Sequence, residues 1–331
     1  MTIQSEVKNG VGIIWLDRPR SLNALDPPMI EAIEGAFLSF DADPKIKRIL
    51  VRSRSDRAFC AGGDLKAIRE LCLEGRYDAA LRFFAAEYRL NLAISRASKP
   101  YVSIVDGLCM GGGLGLTMHG GYSIATERSL FSMPETQIGF IPDVGASYVL
   151  PRLQPGLGRW IALTGSRMTG MEAVAAGLAT HFIHSESLPH LTAVLTDPTV
   201  GIEYALRETV SSRDCGSGDL PSQRTLAHFE LSSLDGIMKS LAADHDATSK
   251  KSLALLRAAS GNSCRAAVRL LDAGANDSLE SCLRRELTVA STAIRHPDFI
   301  EGVRAILVDK DRLPVWQDRI ADGPIGKQVS A

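Results

Sequence analysis

The chain has 331 residues, of which 45% are hydrophobic and 23% charged, the make-up of an ordinary globular protein with one large domain or two smaller ones. With 37 basic residues against 38 acidic ones, bulk electrostatics point neither to nucleic acid nor to a membrane surface. Six cysteines (Cys60, Cys72, Cys109, Cys215, Cys264 and Cys282) lack metal-type spacing, the first residues MTIQSEVKNG carry no apolar signal core, and no run approaches the roughly 20 apolar residues of a membrane span, so a reducing cytoplasm is the expected location.

Val11 to Leu16 is a β-rich run after the turn signal Asn9-Gly10, which predicts an opening hairpin. After Asp17-Arg18-Pro19, the segment from Met29 to Asp41 spaces Met29, Ile30, Ile33, Phe37 and Phe40 as a helix does. Ile49 to Ser53 reads as a buried strand, and RAFCAGGDL then puts small residues where the chain leaves the sheet, the usual ligand position in α/β folds. Residues 66 to 98 are helical by pattern, stopped by Lys99-Pro100. The strand Tyr101 to Val105 leads into Gly111-Gly112-Gly113 and a helix at Leu114 to Met118, and Tyr122 to Ala125 and Leu130-Phe131 add short strands. Helices follow near 146–150, 158–164 and 170–176, and Gly177 with His181-Phe182-Ile183 closes this half. Beyond Leu188 glycine turns and β-runs fade. The expected organisation is a core over 1–195 and a mainly helical region over 196–331, with helical patterns at 222–245, 247–259, 263–273 and 277–295. Pro314-Val315-Trp316 is placed to pin the tail to the body.

Two glycine turns, CAGGD and GGG, each offer bare backbone amides, and two such donors converging on one oxygen would stabilise an oxyanion. Glycine clusters equally serve tight helix packing, so neither turn is specific alone. A branched side chain at Gly112 would project where such an oxygen must approach. Glu135 and Asp143, in a Pro/Gly-punctuated segment outside any exposed amphipathic face, are candidate acid/base groups, and two neighbouring acids raise one pKa. The dinucleotide spacing GxGxxG fails at Leu116, and neither a GxSxG elbow, a GxxxxGK[ST] loop nor HExxH occurs. His119 reads as a packing or capping residue, and Cys60, inside the CAGGD turn, as packing.

At RSLNAL, RAFCAGGDL, KPYVSIVDGLCMGGGLGL and MPETQIGFIPDVGASYVLPRL the sequence resembles the crotonase (enoyl-CoA hydratase/isomerase) superfamily. MHGGYSIATE, LTGSRMTGMEAVAAGLATHF and DFIEGVRAILVDKDRLPVW are most similar to its branch that hydrolyses 3-hydroxyacyl-CoA thioesters, 3-hydroxyisobutyryl-CoA of valine breakdown among them. The resemblance implies an α/β, crotonase-like (ClpP/crotonase) spiral of ββα units with a helical C-terminal region. It implies an acyl-CoA substrate with its thioester oxygen between the N–H groups of Gly63 and Gly112, Glu135 and Asp143 as catalytic acids, and Glu87 as a substrate-binding glutamate. Ala24, Ala61, Gly62, Asp64 and Gly111 would contact the substrate. Coenzyme A belongs to that substrate, so neither cofactor nor metal is expected, and a homo-oligomer stays open. Hydratases of this family carry a second glutamate two residues after the GGG run. Here that position is Gly115, which disfavours hydration. The rival readings are an isomerase or atypical hydratase using Glu135 alone, and a non-catalytic acyl-CoA-binding protein. DPPM after NAL, GAS after PDV and the stretch 210–222 depart from the family pattern and put acyl selectivity in question.

Overall fold

The computed structural model describes residues 2–209 and 220–317. Cys215 and most of the 210–222 stretch lie outside the described residues. Strands β1 (Ile3–Lys8) and β2 (Val11–Leu16) pair antiparallel, and Asn9 and Gly10 take the positive φ values, 51° and 78°, that a tight hairpin turn demands. Helix α1 (Pro27–Ala42) starts where Asp26 accepts a bond from the Met29 amide and prolines occupy the first turn; it buries the five apolar residues expected from their spacing.

Three successive strand pairs then build the spiral. In each, a longer strand is followed by a short one in a second sheet: β3 (Arg48–Ser53) by β4 (Ala58–Cys60), β5 (Tyr101–Val105) by β6 (Leu108–Met110), and β7 (Tyr122–Ala125) by β8 (Leu130–Ser132). Helices α2 (Leu65–Leu73) and α3 (Tyr77–Ser95) connect the first pair to the second, and the single turn α4 (Gly112–Gly115) connects the second to the third. The long strands form a sheet in the order β1-β2-β3-β5-β7-β10, with β10 spanning His181–Phe182, parallel after the hairpin. The short ones order as β4-β6-β8-β9, with β9 (Met168–Thr169) antiparallel to β8. Because β4, β6 and β8 are parallel neighbours, with Cys60 beside Cys109 and Met110 beside Ser132, the segments that follow them leave the sheet at one end. Those segments are the two glycine turns and the Met133-Pro134-Glu135 turn.

Helices α5 (Ala146–Val149), α6 (Leu157–Thr164) and α7 (Gly170–Ala176) precede β10 (His181–Phe182), after which come α8 (Leu188–Leu195), α9 (Ile202–Thr209), α10 (Gln223–His228), α11 (Leu234–Ala242), α12 (Ala247–Ala258), α13 (Gly261–Gly274), α14 (Leu279–Ala293) and α15 (Pro297–Val303). The helix expected over 66–98 is two, broken where Gly75 takes φ 73°, and that over 222–245 is also two. The helix expected at 114–118 begins two residues earlier and lasts one turn. Helices α12 to α15 contribute Leu256, Cys264, Ala267, Ala290, Phe299 and Val303 to the same buried core as Ile14, Phe59 and Phe131. Among the described residues no helix is long and apolar enough to cross a membrane.

The chain ends in a strap. A π-helical turn over Arg304–Val308 breaks from α15, and Arg304 ties Glu301 to Asp309 and Asp311. The Val315 amide donates to Glu301 (2.8 Å) and the Gln317 amide to the buried Asp298 (2.8 Å). The Trp316 indole, 6% exposed, donates to the Ala258 carbonyl (2.9 Å). Trp316 is therefore the residue that pins the tail. Trp316→Ala removes both a buried aromatic and an indole hydrogen bond, and urea unfolding should register a loss of about 3 kcal/mol; a loss below about 1 kcal/mol would show the strap held without it.

Candidate active site

A cavity of about 360 Å³ opens where the turns after β4, β6 and β8 meet. Ala61, Gly62 and Gly63 line one wall with Met110, Gly111 and Gly112, and Glu87, Glu135 and Asp143 also face the space. Phe84, Ile138 and Phe140 supply apolar surface, and Ile306, Leu307 and Arg312 of the C-terminal strap also line the cavity, with Arg167.

The glycine turns touch backbone to backbone. Gly62 has φ 95°, and a Cβ built on it would lie 3.0 Å from the Met110 carbonyl and 3.4 Å from the Gly112 amide. The CAGGD turn is held from outside: the Ala61 amide donates to Leu22 (3.0 Å), Leu25 to Gly62 (2.8 Å) and Asp64 to Leu25 (2.8 Å). These bonds leave the Gly63 amide without an acceptor among the described residues, and the Gly112 amide, first in α4, has none either. Both are open donors beside the cavity. Asn23, fully buried at φ 56°, fixes the supporting segment through bonds to Ser53 and to the Ala58 and Phe59 carbonyls. Cys60 packs under the turn as expected: its buried thiol, pushed up to about 12 by desolvation, points at the Asn23 carbonyl.

Glu135 opens the 3₁₀ turn Glu135–Ile138 and is 5% exposed; its Oε2 has no partner among the described residues. Glu87, from the buried face of α3, likewise leaves Oε1 without a partner. Asp143 Oδ2 accepts from the Tyr88 hydroxyl at 2.7 Å. Burial pushes the carboxyls of Glu87 and Glu135 well above the usual carboxylate range, and each is raised further by neighbouring acids; Asp143 is pushed up to about 8 by burial, against the lowering bond from Tyr88. The mutual effect of two acids, expected from the sequence, is thus present but second to desolvation.

Three of the expected site residues sit in surroundings that the sequence did not show. Ala24 and Asp64 do not line the cavity: the Ala24 carbonyl accepts from Arg18 (2.8 Å), while Asp64 caps α2 and pairs with Arg18 (2.9 Å), so they hold the turn from behind. A side chain at Gly112 would not simply block an incoming oxygen, because its Cβ would fall 2.1 Å from Glu87 Oε1. The glycine makes room for a carboxylate. Gly115 is closed as well: a Cβ there would meet Asn91 Nδ2 at 2.8 Å and Val144 Cβ at 2.9 Å, so this backbone leaves no room for a second acid.

Sequence reasoning missed what holds Asp143. Val144 and Gly145, next along the chain, sit at φ 53° and 88°. His119 Nε2 meets the Val144 carbonyl at 2.6 Å, and burial pushes its imidazole down to about 4, so the neutral ring donates. Glu286, on α14, accepts from the Gly145 amide (2.7 Å), the Ser147 amide (2.9 Å) and the Ser147 hydroxyl (2.6 Å). A positive-φ glycine after IPDV was a legible signal for the turn; nothing local pointed to Glu286.

A fold that brings two glycine turns and an acid-bearing turn to one end of a short parallel sheet, over a cavity with two open amides, defines a class, and the comparisons agree. The family model described as enoyl-CoA hydratase/isomerase matches residues 11–323, and the chain belongs to that family. Among curated relatives, the mitochondrial 3-hydroxyisobutyryl-CoA hydrolases of Gallus gallus and Homo sapiens are 38% and 36% identical, each over 94% of this chain and 83% of the relative. Among solved structures, an enoyl-CoA hydratase from Rhodobacter sphaeroides 2.4.1 superposes with TM-score 0.86 at 31% identity, covering 96% of this chain and 92% of the other. A carnitinyl-CoA dehydratase from Mycobacterium thermoresistibile does so with 0.85 at 31%, covering 95% and 91%. The crotonase-like α/β fold expected from the sequence is the fold observed.

The raised carboxyls set a pH dependence. Between the ordinary aspartate value of about 3.9 and the folded value of about 8, the native Asp143 keeps a proton that the unfolded chain has lost, so it lowers stability progressively as pH rises through that window. Asp143→Asn removes this contribution. The melting temperature of Asp143→Asn minus that of wild type should be larger at pH 8 than at pH 5, and an equal difference at both would contradict the shift.

Proposed function

We propose that this chain is an acyl-CoA thioesterase that hydrolyses 3-hydroxyisobutyryl-CoA to 3-hydroxyisobutyrate and CoA, a step of valine breakdown. The observation that carries this reading is the pairing of Glu135 and Asp143 beside the open amides of Gly63 and Gly112, with position 115 closed to the second glutamate that hydration would use. The relatives named hydrolases support the same choice over the hydratase names of the superposed structures.

In this reading the thioester carbonyl oxygen lies between the two amides, which stabilise the negative charge it gains. Glu135 supplies the electron pair from its ionised form, which burial makes a stronger base than an ordinary carboxylate. As a base it takes a proton from water, whose oxygen attacks the carbonyl carbon; as a nucleophile it attacks that carbon and forms an anhydride that water then cleaves. When the C–S bond breaks, the electron pair leaves on sulfur, and Asp143, which burial keeps protonated near neutral pH, gives the thiolate its proton. Three buried carboxyls cannot all be ionised in one cavity, which leaves a proton available for that transfer. Glu87, against Gly112, is assigned to substrate contact. Ala61, Gly62 and Gly111 line the space around the thioester. The substrate brings its own CoA, and we assign no separate cofactor. The described cysteines are buried and unpaired, which fits a reducing compartment; we read the cytoplasm, although the vertebrate relatives are named mitochondrial.

Thiol titration with a panel of acyl-CoA esters tests the reading: free CoA should appear from 3-hydroxyisobutyryl-CoA, while crotonyl-CoA should be hydrated slowly or not at all. Rapid crotonyl-CoA hydration without thiol release would replace it with the hydratase reading, and ester binding without turnover would leave a binding protein. Glu135→Gln should lower kcat by about 100-fold or more while the Kd for the ester stays within about threefold; a variant keeping over about a tenth of wild-type kcat would remove Glu135 from the central role.

A further inference from the structure

We propose that Glu286 is a positioning residue for this reaction: from helix α14 its carboxylate fixes the turn 143–147 and so sets the direction in which Asp143 presents its carboxyl to the cavity. This inference rests on the thioesterase reading.

The turn needs an external hold. Val144 is β-branched and adopts φ 53°, a region that costs such a residue on the order of 1–3 kcal/mol, and Gly145 follows at 88°. Local bonding comes only from the helix that follows: the Ala146 amide donates to the Asp143 carbonyl (2.8 Å), and the Tyr148 and Val149 amides donate to the Gly145 carbonyl (3.0 and 3.1 Å). Three further donors converge on Glu286, which is 0% exposed and uses both oxygens, Oε2 for the Gly145 amide and Oε1 for the amide and hydroxyl of Ser147. A carboxylate in that position is a costly choice unless its charge or its three acceptor bonds are used, because burial alone would favour an apolar side chain. His119 holds the opposite edge through the Val144 carbonyl, so the peptide between them cannot turn without breaking a buried bond.

The groups facing this assembly are few. Asp143 is approached by Tyr88 and Glu87 from α3, by Glu135 and by Glu286, and the Glu286 charge is among the influences that raise the Asp143 carboxyl. Burial pushes Glu286 up to about 7, against the lowering bonds from the Ser147 hydroxyl and the Gly145 and Ser147 amides and, last, the charge of Arg285, which is already paired with Asp277; Cys282, on the same helix, also faces Glu286 and Ser147. Glu286 therefore acts on Asp143 in two ways, through the turn's shape and through its charge, and neither requires contact with substrate; it does not line the cavity.

The experiment is a double-mutant comparison with thermal melting on every protein. Glu286→Gln keeps the size but puts an amide donor where acceptors are needed, and should lower kcat for the CoA ester about tenfold or more with KM within about threefold. In an Asp143→Asn background the same change should cost less than about threefold, because its route to the reaction has already been removed. Equal fold-losses in both backgrounds, or a loss that only follows the folded fraction, would overturn the proposal. Should Glu286→Gln not fold, Ser147→Ala, which deletes one of the three donors, is held to the same comparison. Infrared titration of Asp143, taken as the difference between wild type and Asp143→Asn, supplies a readout independent of turnover. Its protonated carboxyl band should vanish at lower pH in the Glu286→Gln protein, where the neighbouring charge is gone, and an unmoved band would overturn the proposal. If wild type releases no thiol from any ester, the thioesterase reading falls, and the infrared result alone still decides whether Glu286 governs Asp143.

Discussion

Everything at this site depends on the parallel pairing of β4 with β6 and of β6 with β8. Those strands are only three residues long, yet their register places Cys60 beside Cys109 and Met110 beside Ser132, so three loops far apart in sequence begin side by side. A one-residue slip would reverse the side-chain faces and separate the amides of Gly63 and Gly112. The long-strand sheet and its helices act as the frame that keeps this short sheet in register, which is why a small cavity needs so large a protein around it.

Inside that frame, the electrostatic problem is desolvation. Glu87, Glu135 and Asp143 are nearly excluded from water, and Tyr88 is the one side-chain donor to them among the described residues. An isolated ionised carboxyl in such surroundings would take up a proton instead of staying charged. Glycine resolves the spatial half of the problem at Gly111 and Gly112, whose missing side chains give the Glu135 and Glu87 carboxyls their places. The energetic half stays unresolved in the folded protein, and that is what holds all three carboxyls above the ordinary carboxylate range.

The legible parts of the sequence were those where local chemistry dictates local shape. Asn9-Gly10 specified its hairpin, the apolar spacing of 29–40 specified α1, and CAGGD and GGG marked two exits from a sheet before any pairing was known. The site acids Glu135 and Asp143 were visible because proline and glycine around them ruled out an ordinary helix face. What stayed hidden depends on long-range contact. Helix α14 reads as a solvated amphipathic segment, and only packing against the 143–147 turn shows that Glu286 is the fully buried member of its charged set. The break at Gly75 was missed because a single glycine in a long helical pattern is usually tolerated.

The same contrast bears on the chemistry. The absence of a second glutamate at position 115 is readable from sequence, but it leaves open whether the position is vacant or filled. The structure fills it: Asn91 and Val144 stand where a side chain would grow, and Val144 stands there at φ 53° in the turn that Glu286 and His119 bond. The turn that points Asp143 at the cavity is therefore also the turn that closes the other acid's place. Within this architecture the choice between two carboxylate arrangements is made by one short segment of backbone, and residues outside the cavity lining, on α14 and after α4, take part in making it.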